Sequence, residues 1–217
     1  MPSETVPDVM KADMVDLQFP LAGRALPADH ADLLWQALCM ALPWLETDPV
    51  AGVHPVSGLN AGAGECYLSR RSRLSLRLTE AQADLATAAL SGTRLTLSGY
   101  KIDLGQGMVR PLAYSPVIYA KFVAMTPAAD GPVDEAEFID ACQAEFDRRG
   151  IRPQIICGKA QRMRVSAGLL SGFSLMLYDL DNGDNLNLQY EGLGIERGRG
   201  CGIFVPHKSG AAVGTLE

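Results

Sequence analysis

No uninterrupted apolar run in this 217-residue chain approaches the ~18 residues that a membrane-spanning helix requires. The first 16 residues mix Pro, Ser and acids and carry no apolar leader core, so no secretory signal is expected. Five cysteines, at positions 39, 66, 142, 157 and 201, form neither a CxxC pair nor a zinc spacing. An odd, scattered set suits free thiols in a reducing cytoplasm, the expected location. Aromatic residues make up 6% of the chain, too few to floor a long groove for stacked single-stranded bases. There are only three histidines, His30, His54 and His207. Positive charge is short overall: the formal net charge is -6 and the pI about 5.1, which taken alone argues against a nucleic-acid partner. Apolar residues are plentiful at 47%, which excludes a disordered chain and allows one large core or two small ones.

The placement of the charges tells more than their sum. Residues 66–78 hold four bases (Arg70, Arg71, Arg73, Arg77) and no acid, and residues 148–164 hold six (Arg148, Arg149, Arg152, Lys159, Arg162, Arg164) and no acid. Residues 130–147 hold seven acids and no base. Five lysines among the 19 basic residues leave 14 arginines, the side chain suited to bidentate phosphate contacts. Local basic surfaces therefore stand against an acidic one.

The hydrophobic pattern reads twice in one order. Residues 14–19 alternate as a strand, and residues 29–42 carry Leu33, Leu34, Ala37, Leu38 and Ala41 at helical spacing, with Asp29 as N-cap and Pro43 as stop. Strands follow at 50–56 and 71–78 around a glycine-rich stretch at 58–64; Thr79 then caps a helix to residue 90, and a hairpin covers 93–104. In the second half the strands are expected at 116–125, 151–157, 162–167, 172–179 and 201–205, with helices at 134–149 and 183–191. The acids of 179–184 read as a turn and helix cap, because a calcium loop's downstream bidentate Glu is absent. The expected class is α+β, as two tandem β-α-β-β-α-β units of ferredoxin-like type. The boundaries are a disordered tail (1–13), a first domain (14–112), a second (113–206) and a C-terminal tail (207–217).

The most specific motif is Gly192-Leu193-Gly194-Ile195-Glu196-Arg197-Gly198-Arg199-Gly200-Cys201-Gly202. Repeated glycines with two arginines can cradle an anion. A dinucleotide fingerprint would need a following helix, whereas Ile203–Pro206 reads as a strand. With Asp16-Leu17-Gln18-Phe19-Pro20-Leu21, Leu26-Pro27-Ala28-Asp29-His30, Val53-His54-Pro55-Val56 and Leu68-Ser69-Arg70-Arg71-Ser72-Arg73-Leu74, this signature resembles the CRISPR repeat-processing endoribonucleases. These form the Cas-six branch of the RAMP superfamily, here in its compact type I MYXAN-like form, and the likeness spans roughly residues 14–206.

The resemblance implies two ferredoxin-like domains that bind a repeat RNA hairpin. It also implies metal-independent, cofactor-free cleavage by 2'-OH attack, leaving 2',3'-cyclic phosphate and 5'-OH ends. Such chemistry needs a base, an acid and cations. His30, at the start of the first helix, is the first candidate, since a helix N-terminus favours neutral imidazole. His54 is either its partner or a buried, hydrogen-bonded histidine, and His207 falls in the tail. Lys159, Arg162 and Arg164 are expected to line a hairpin against the RNA, and Arg70, Arg71, Arg73 and Arg77 to extend the track. Arg197 and Arg199 are placed near the scissile phosphate, within the glycine loop of Gly192, Gly194, Gly200 and Gly202. The expected partners are crRNA precursor and product and further CRISPR effector subunits, with no membrane and no direct DNA contact. Two other classes stay open: a non-catalytic RNA-binding subunit of a CRISPR effector, and a regulator whose glycine loop holds a small anion.

Overall fold

The computed structural model describes residues 14–60, 64–127, 133–166 and 168–207. The expected N-terminal tail, and all of the C-terminal one except His207, lie outside the described residues. The first half contains β1 (Met14–Ala22), β2 (Ala25–Pro27), α1 (Ala31–Ala41), β3 (Gly52–Val53), β4 (Leu59–Asn60), β5 (Glu65–Tyr67) and β6 (Arg73–Thr79). It continues through α2 (Glu80–Leu90), β7 (Arg94–Leu97), β8 (Tyr100–Leu104) and β9 (Met108–Pro111). β1 is central: it pairs antiparallel with β6 from Met14↔Thr79 to Pro20↔Arg73, and on its other side with β9 and then β8. β3 adds to the outer edge of β6, while β2, β5 and β4 form a small separate sheet.

Strand alternation divides this sheet into two faces. Leu17 and Phe19 of β1 and Leu74, Leu76 and Leu78 of β6 point into a core closed by Leu34 and Leu38 of α1 and Ala83, Ala86 and Leu90 of α2. Asp16, Ser75 and Arg77 lie on the opposite face, against the second half. Thr79 closes a capping box with Gln82 at the start of α2. Thr79→Ala is expected to cost about 1 kcal/mol in a denaturant melt.

The second half contains β10 (Val117–Val123), α3 (Glu135–Arg149), β11 (Gln154–Val165), β12 (Gly168–Tyr178), α4 (Asn182–Glu191) and β13 (Phe204–Pro206). Its sheet is antiparallel in the order β11-β12-β10-β13, over a core of Phe138, Cys142, Phe146, Leu175, Leu177, Leu188 and Phe204. Asp134 caps α3 and Gly150 ends it in the left-handed region at φ 72, as the sequence predicts. Asp181 caps α4 by accepting from the Asp184 amide.

Several boundaries differ from expectation. The strands expected at 151–157 and 162–167 are one strand, β11, because a register shift between Cys157 and Ala160 absorbs the glycine and lysine that looked like a loop. The strand expected over 50–56 shrinks to Gly52–Val53. His30 rather than Asp29 occupies the N-cap position of α1, without a side-chain capping bond, so the histidine sits between the turn at Ala28 and Asp29 and the first helical residue.

Candidate active site

His30 projects from the N-terminus of α1 into a cleft of about 150 Å³. The first half lines it with Ala28, Asp29, His30, Pro55 and Val56, and the second with Lys121, Phe122, Gln161, Arg162 and Met163. Neither half forms the cleft alone. Strand β2, which ends at Pro27, places the ring: Nδ1–H donates to the Pro27 carbonyl at 2.9 Å. A carbonyl only accepts, so Nδ1 carries the hydrogen and Nε2 holds the lone pair of the neutral ring. His30 is 8% exposed, and burial pulls its pKa below the usual 6.5. The Pro27 hydrogen bond and the Asp29 charge oppose this, the nearby Lys121 charge adds to it, and burial, the largest effect, prevails. The ring is thus neutral at pH 7.

Lys121 comes from β10, where the register with β12 shifts between Ala120 and Val123 and the lysine is exposed. Gln161 of β11 donates to the Lys121 carbonyl at 2.7 Å and ties the two strands at the cleft floor. Lys159, Arg162 and Arg164 are exposed along β11, with Arg162 and Arg164 on one face and Arg162 reaching the cleft. Arg70 and Arg71 are exposed on the turn before β6, while Arg73 folds back to donate to the carbonyls of Arg70 and Ser72, both at 2.8 Å.

His54 lies apart from this cleft, which Pro55 and Val56 line in its stead. Its Nε2–H donates to Asp16 at 3.0 Å, and burial lowers its pKa despite that carboxylate. The same carboxylate receives both Nε and Nη2 of Arg77, at 2.8 and 3.0 Å. Burial alone would raise Asp16, but His54 and Arg77 together hold it well below the usual carboxylate range. Arg77 is fully buried, so its expected place on an RNA track is corrected: its guanidinium is covered by the second half, at the carbonyls of Gln189 and Phe204.

The glycine-rich loop is likewise a joint rather than an open cradle. Its amides are already donated within the protein: Leu193 to Gly202, Ile195 to Ala124 and Gly202 to Phe122, at 3.1, 2.9 and 2.8 Å. At Gly200, φ is +90 and an added Cβ would stand 3.1 Å from the Val53 carbonyl, so the loop closes directly on the first half. Arg197 is turned inward to the carbonyls of Val50 and Tyr190, at 2.9 and 2.6 Å, and burial first, then the like charge of Arg77, lowers its pKa to about 10. Arg199 pairs with Asp32 at 2.6 Å and with Glu196, over the ring of Trp35. The expectation that these two arginines face a phosphate is therefore corrected. His207 lies past β13 against Tyr119, with ring centroids 5.4 Å apart. Among the described residues no group of three or more His, Cys, Asp or Glu is placed to hold a metal ion, and no helix is long and apolar enough to cross a membrane.

The profile of a known family, described as Cas6 Crispr, matches residues 15–209. A CRISPR-associated endonuclease Cas6 from Myxococcus xanthus (strain DK1622) is 31% identical over 199 residues, covering 92% of this chain and 84% of that protein. The chain belongs to the Cas6 family. Among solved structures, a Cas6-related protein from Pyrococcus furiosus superposes with a TM-score of 0.65 at 12% identity, covering 90% of this chain and 99% of that one. A RAMP protein described as binding different RNA substrates gives 0.63 at 12%, covering 88% and 98%.

Within this Cas6 fold, the sequence pattern missed Lys121 and Gln161. Lys121 stands alone in an apolar strand, where alternation turns it away from buried Ile118 and Ala120, but no local pattern shows that this face meets His30. Asp16 was legible only as part of the opening stretch. That its side chain would meet Arg77 could have been read from the antiparallel pairing of β1 with β6.

Proposed function

We propose that this protein is a metal-independent endoribonuclease that cleaves CRISPR repeat RNA, in the cytoplasm, to give mature crRNA. The names of the M. xanthus relative and of the RNA-binding RAMP structure support that reading. Its frame is two tandem ferredoxin-like domains, 14–112 and 113–206, since both sheets place the last, first, third and second main strands in the same order. The observation that carries it is a neutral His30, with its Nε2 lone pair free to act, in a cleft that also holds Lys121 and Arg162.

Nε2 removes the proton of the ribose 2'-OH, whose oxygen attacks the adjacent phosphorus. Arg162 and Lys121 stabilise the added charge on the phosphorane. The 5'-oxygen leaves with a proton supplied by the Lys121 ammonium, and the products are a 2',3'-cyclic phosphate and a 5'-OH. The hairpin stem lies along the exposed Lys159, Arg162 and Arg164, with Arg70 and Arg71 on the first domain. A-form RNA hides its base edges, so phosphate and shape contacts dominate. His54 serves as a partner of Asp16, outside the reaction. Contacts with further effector subunits remain part of the proposal.

The test is incubation of the cognate repeat with the protein in excess EDTA. One cut per repeat, leaving 5'-OH ends, is expected, and an absolute metal requirement would overturn the mechanism. Arg164→Ala is expected to lower the salt slope of repeat binding by about 1, the signature of one lost phosphate contact. Arg197→Ala is expected to leave that slope unchanged, because its guanidinium faces backbone carbonyls.

A further inference from the structure

The catalytic cleft is built from two halves, so something must fix their register. Each half sends one arginine into the backbone of the other. Arg77 of β6 donates Nη1 to the carbonyls of Gln189 and Phe204, at 2.9 and 2.6 Å, while its other two nitrogens hold Asp16. Arg197, after α4, donates back to the Val50 carbonyl of the first half. Gln189 and Tyr190 lie in the last turn of α4, where carbonyls lack helical partners, and the two guanidinium groups satisfy them from opposite sides. The sequence leaves room for this: an added Cβ at Gly192 would stand 2.1 Å from Arg197 Nη1, and one at Gly52 would stand 3.2 Å from its Nε. A lysine is a point charge and cannot serve Asp16 and two carbonyls in one fixed geometry, whereas a guanidinium can.

We infer that Arg77 is a positioning residue for repeat cleavage: held by Asp16 and matched by Arg197, it sets the register that brings His30 against Lys121 and Arg162. The inference rests on the endoribonuclease reading above. A misplacement of about 1 Å between reacting groups costs on the order of 10²-fold in rate.

Arg77→Met alone leaves the Asp16 carboxylate without its guanidinium and is expected to lose much of the protein's stability. The informative variant is therefore Arg77→Met with Asp16→Asn. It removes both charges, and the asparagine amide oxygen still accepts from His54. Three quantities are measured: thermal unfolding, repeat-RNA affinity, and single-turnover cleavage at saturating protein. Nitroxide labels at the exposed Leu85 and Asp140 report the distance between the halves. The double variant is expected to recover most of the stability lost in Arg77→Met and to bind RNA near wild-type affinity. It should still cleave about 10²-fold more slowly, with a broadened interlabel distance. Arg77→Lys is expected to fold and to cleave at an intermediate rate. A stable double variant that cleaves at the wild-type rate with an unchanged distance distribution would overturn the inference. If the wild-type protein does not cut the repeat at all, the function reading fails, and the distance measurement still decides the clamp: a broadened distribution supports it and an unchanged one sinks it.

Discussion

His30→Ala is expected to slow single-turnover cleavage of the repeat about 10³-fold while leaving repeat affinity near wild type. A positioned general base contributes roughly 10²–10⁴-fold, and His30 is the histidine that lines the cleft. Its side chain is nearly enclosed, so the affinity is expected to come instead from exposed cations such as Arg162 and Arg164. The pH dependence adds a second, independent reading. Burial and Lys121 hold the His30 pKa below 6.5, and the base is the neutral form. The wild-type rate should therefore hold a plateau around and just above neutral pH and fall as pH drops through that lowered pKa. The inflection should vanish in His30→Ala. A rate that instead fell with rising pH across the same range would make His30 the acid.

The largest effect on the fold is expected at Gly202→Ala. Gly202 has φ +65, where an L side chain costs about 1–2 kcal/mol, and an added Cβ would stand 1.9 Å from the Leu193 carbonyl oxygen. That carbonyl cannot withdraw cheaply, because the Leu193 amide is bonded to Gly202 and the Gly202 amide to Phe122. The combined loss is expected to reach on the order of 3 kcal/mol or more, or roughly 6–12 °C in Tm for a chain of this size. Cleavage and RNA binding should fall together with the folded fraction as temperature rises, unlike in His30→Ala, because the expected loss is in the stability of the fold. Gly150→Ala is the control: it has a similar φ of +72 but open space around the Cβ, so only the left-handed penalty applies. A Gly202→Ala protein melting like Gly150→Ala would show that the close approach is not real.

The sequence was most legible where local rules act alone. Thr79 ahead of α2, Gly150 at the end of α3, and a cap among the acids of 179–184 ahead of α4 are signals whose chemistry lies within a few residues, and each stands where the pattern predicts. The alternation of Leu74, Leu76 and Leu78 against Arg73, Ser75 and Arg77 correctly divides β6 into two faces. What alternation cannot say is what covers the second face. Arg77 looked like a solvent-facing cation until the other half closed over it, and Arg197 and Arg199 looked like phosphate ligands until carbonyls and carboxylates met them. Charge counted along a chain reports supply, while burial decides use, and burial is a property of packing between distant segments. Of ten basic residues in the two base-only stretches, those that stay exposed include Arg70, Arg71, Lys159, Arg162 and Arg164, the residues proposed above to meet RNA. With a net charge of -6, the proposed binding surface is a narrow track of exposed bases, and a general affinity for polyanions is not expected.

The measurement that bears most directly on the account uses a repeat RNA with one change. Once the cut is mapped, the ribose 5' to the scissile phosphate is replaced by its 2'-deoxy form, and binding and single-turnover cleavage are compared with the unmodified repeat. If His30 delivers a 2'-oxygen to phosphorus, the substituted repeat binds with unchanged affinity and is not cut. Cleavage of the deoxy repeat at the wild-type rate would mean that water or another nucleophile attacks, and the proposed chemistry of the cleft would be wrong.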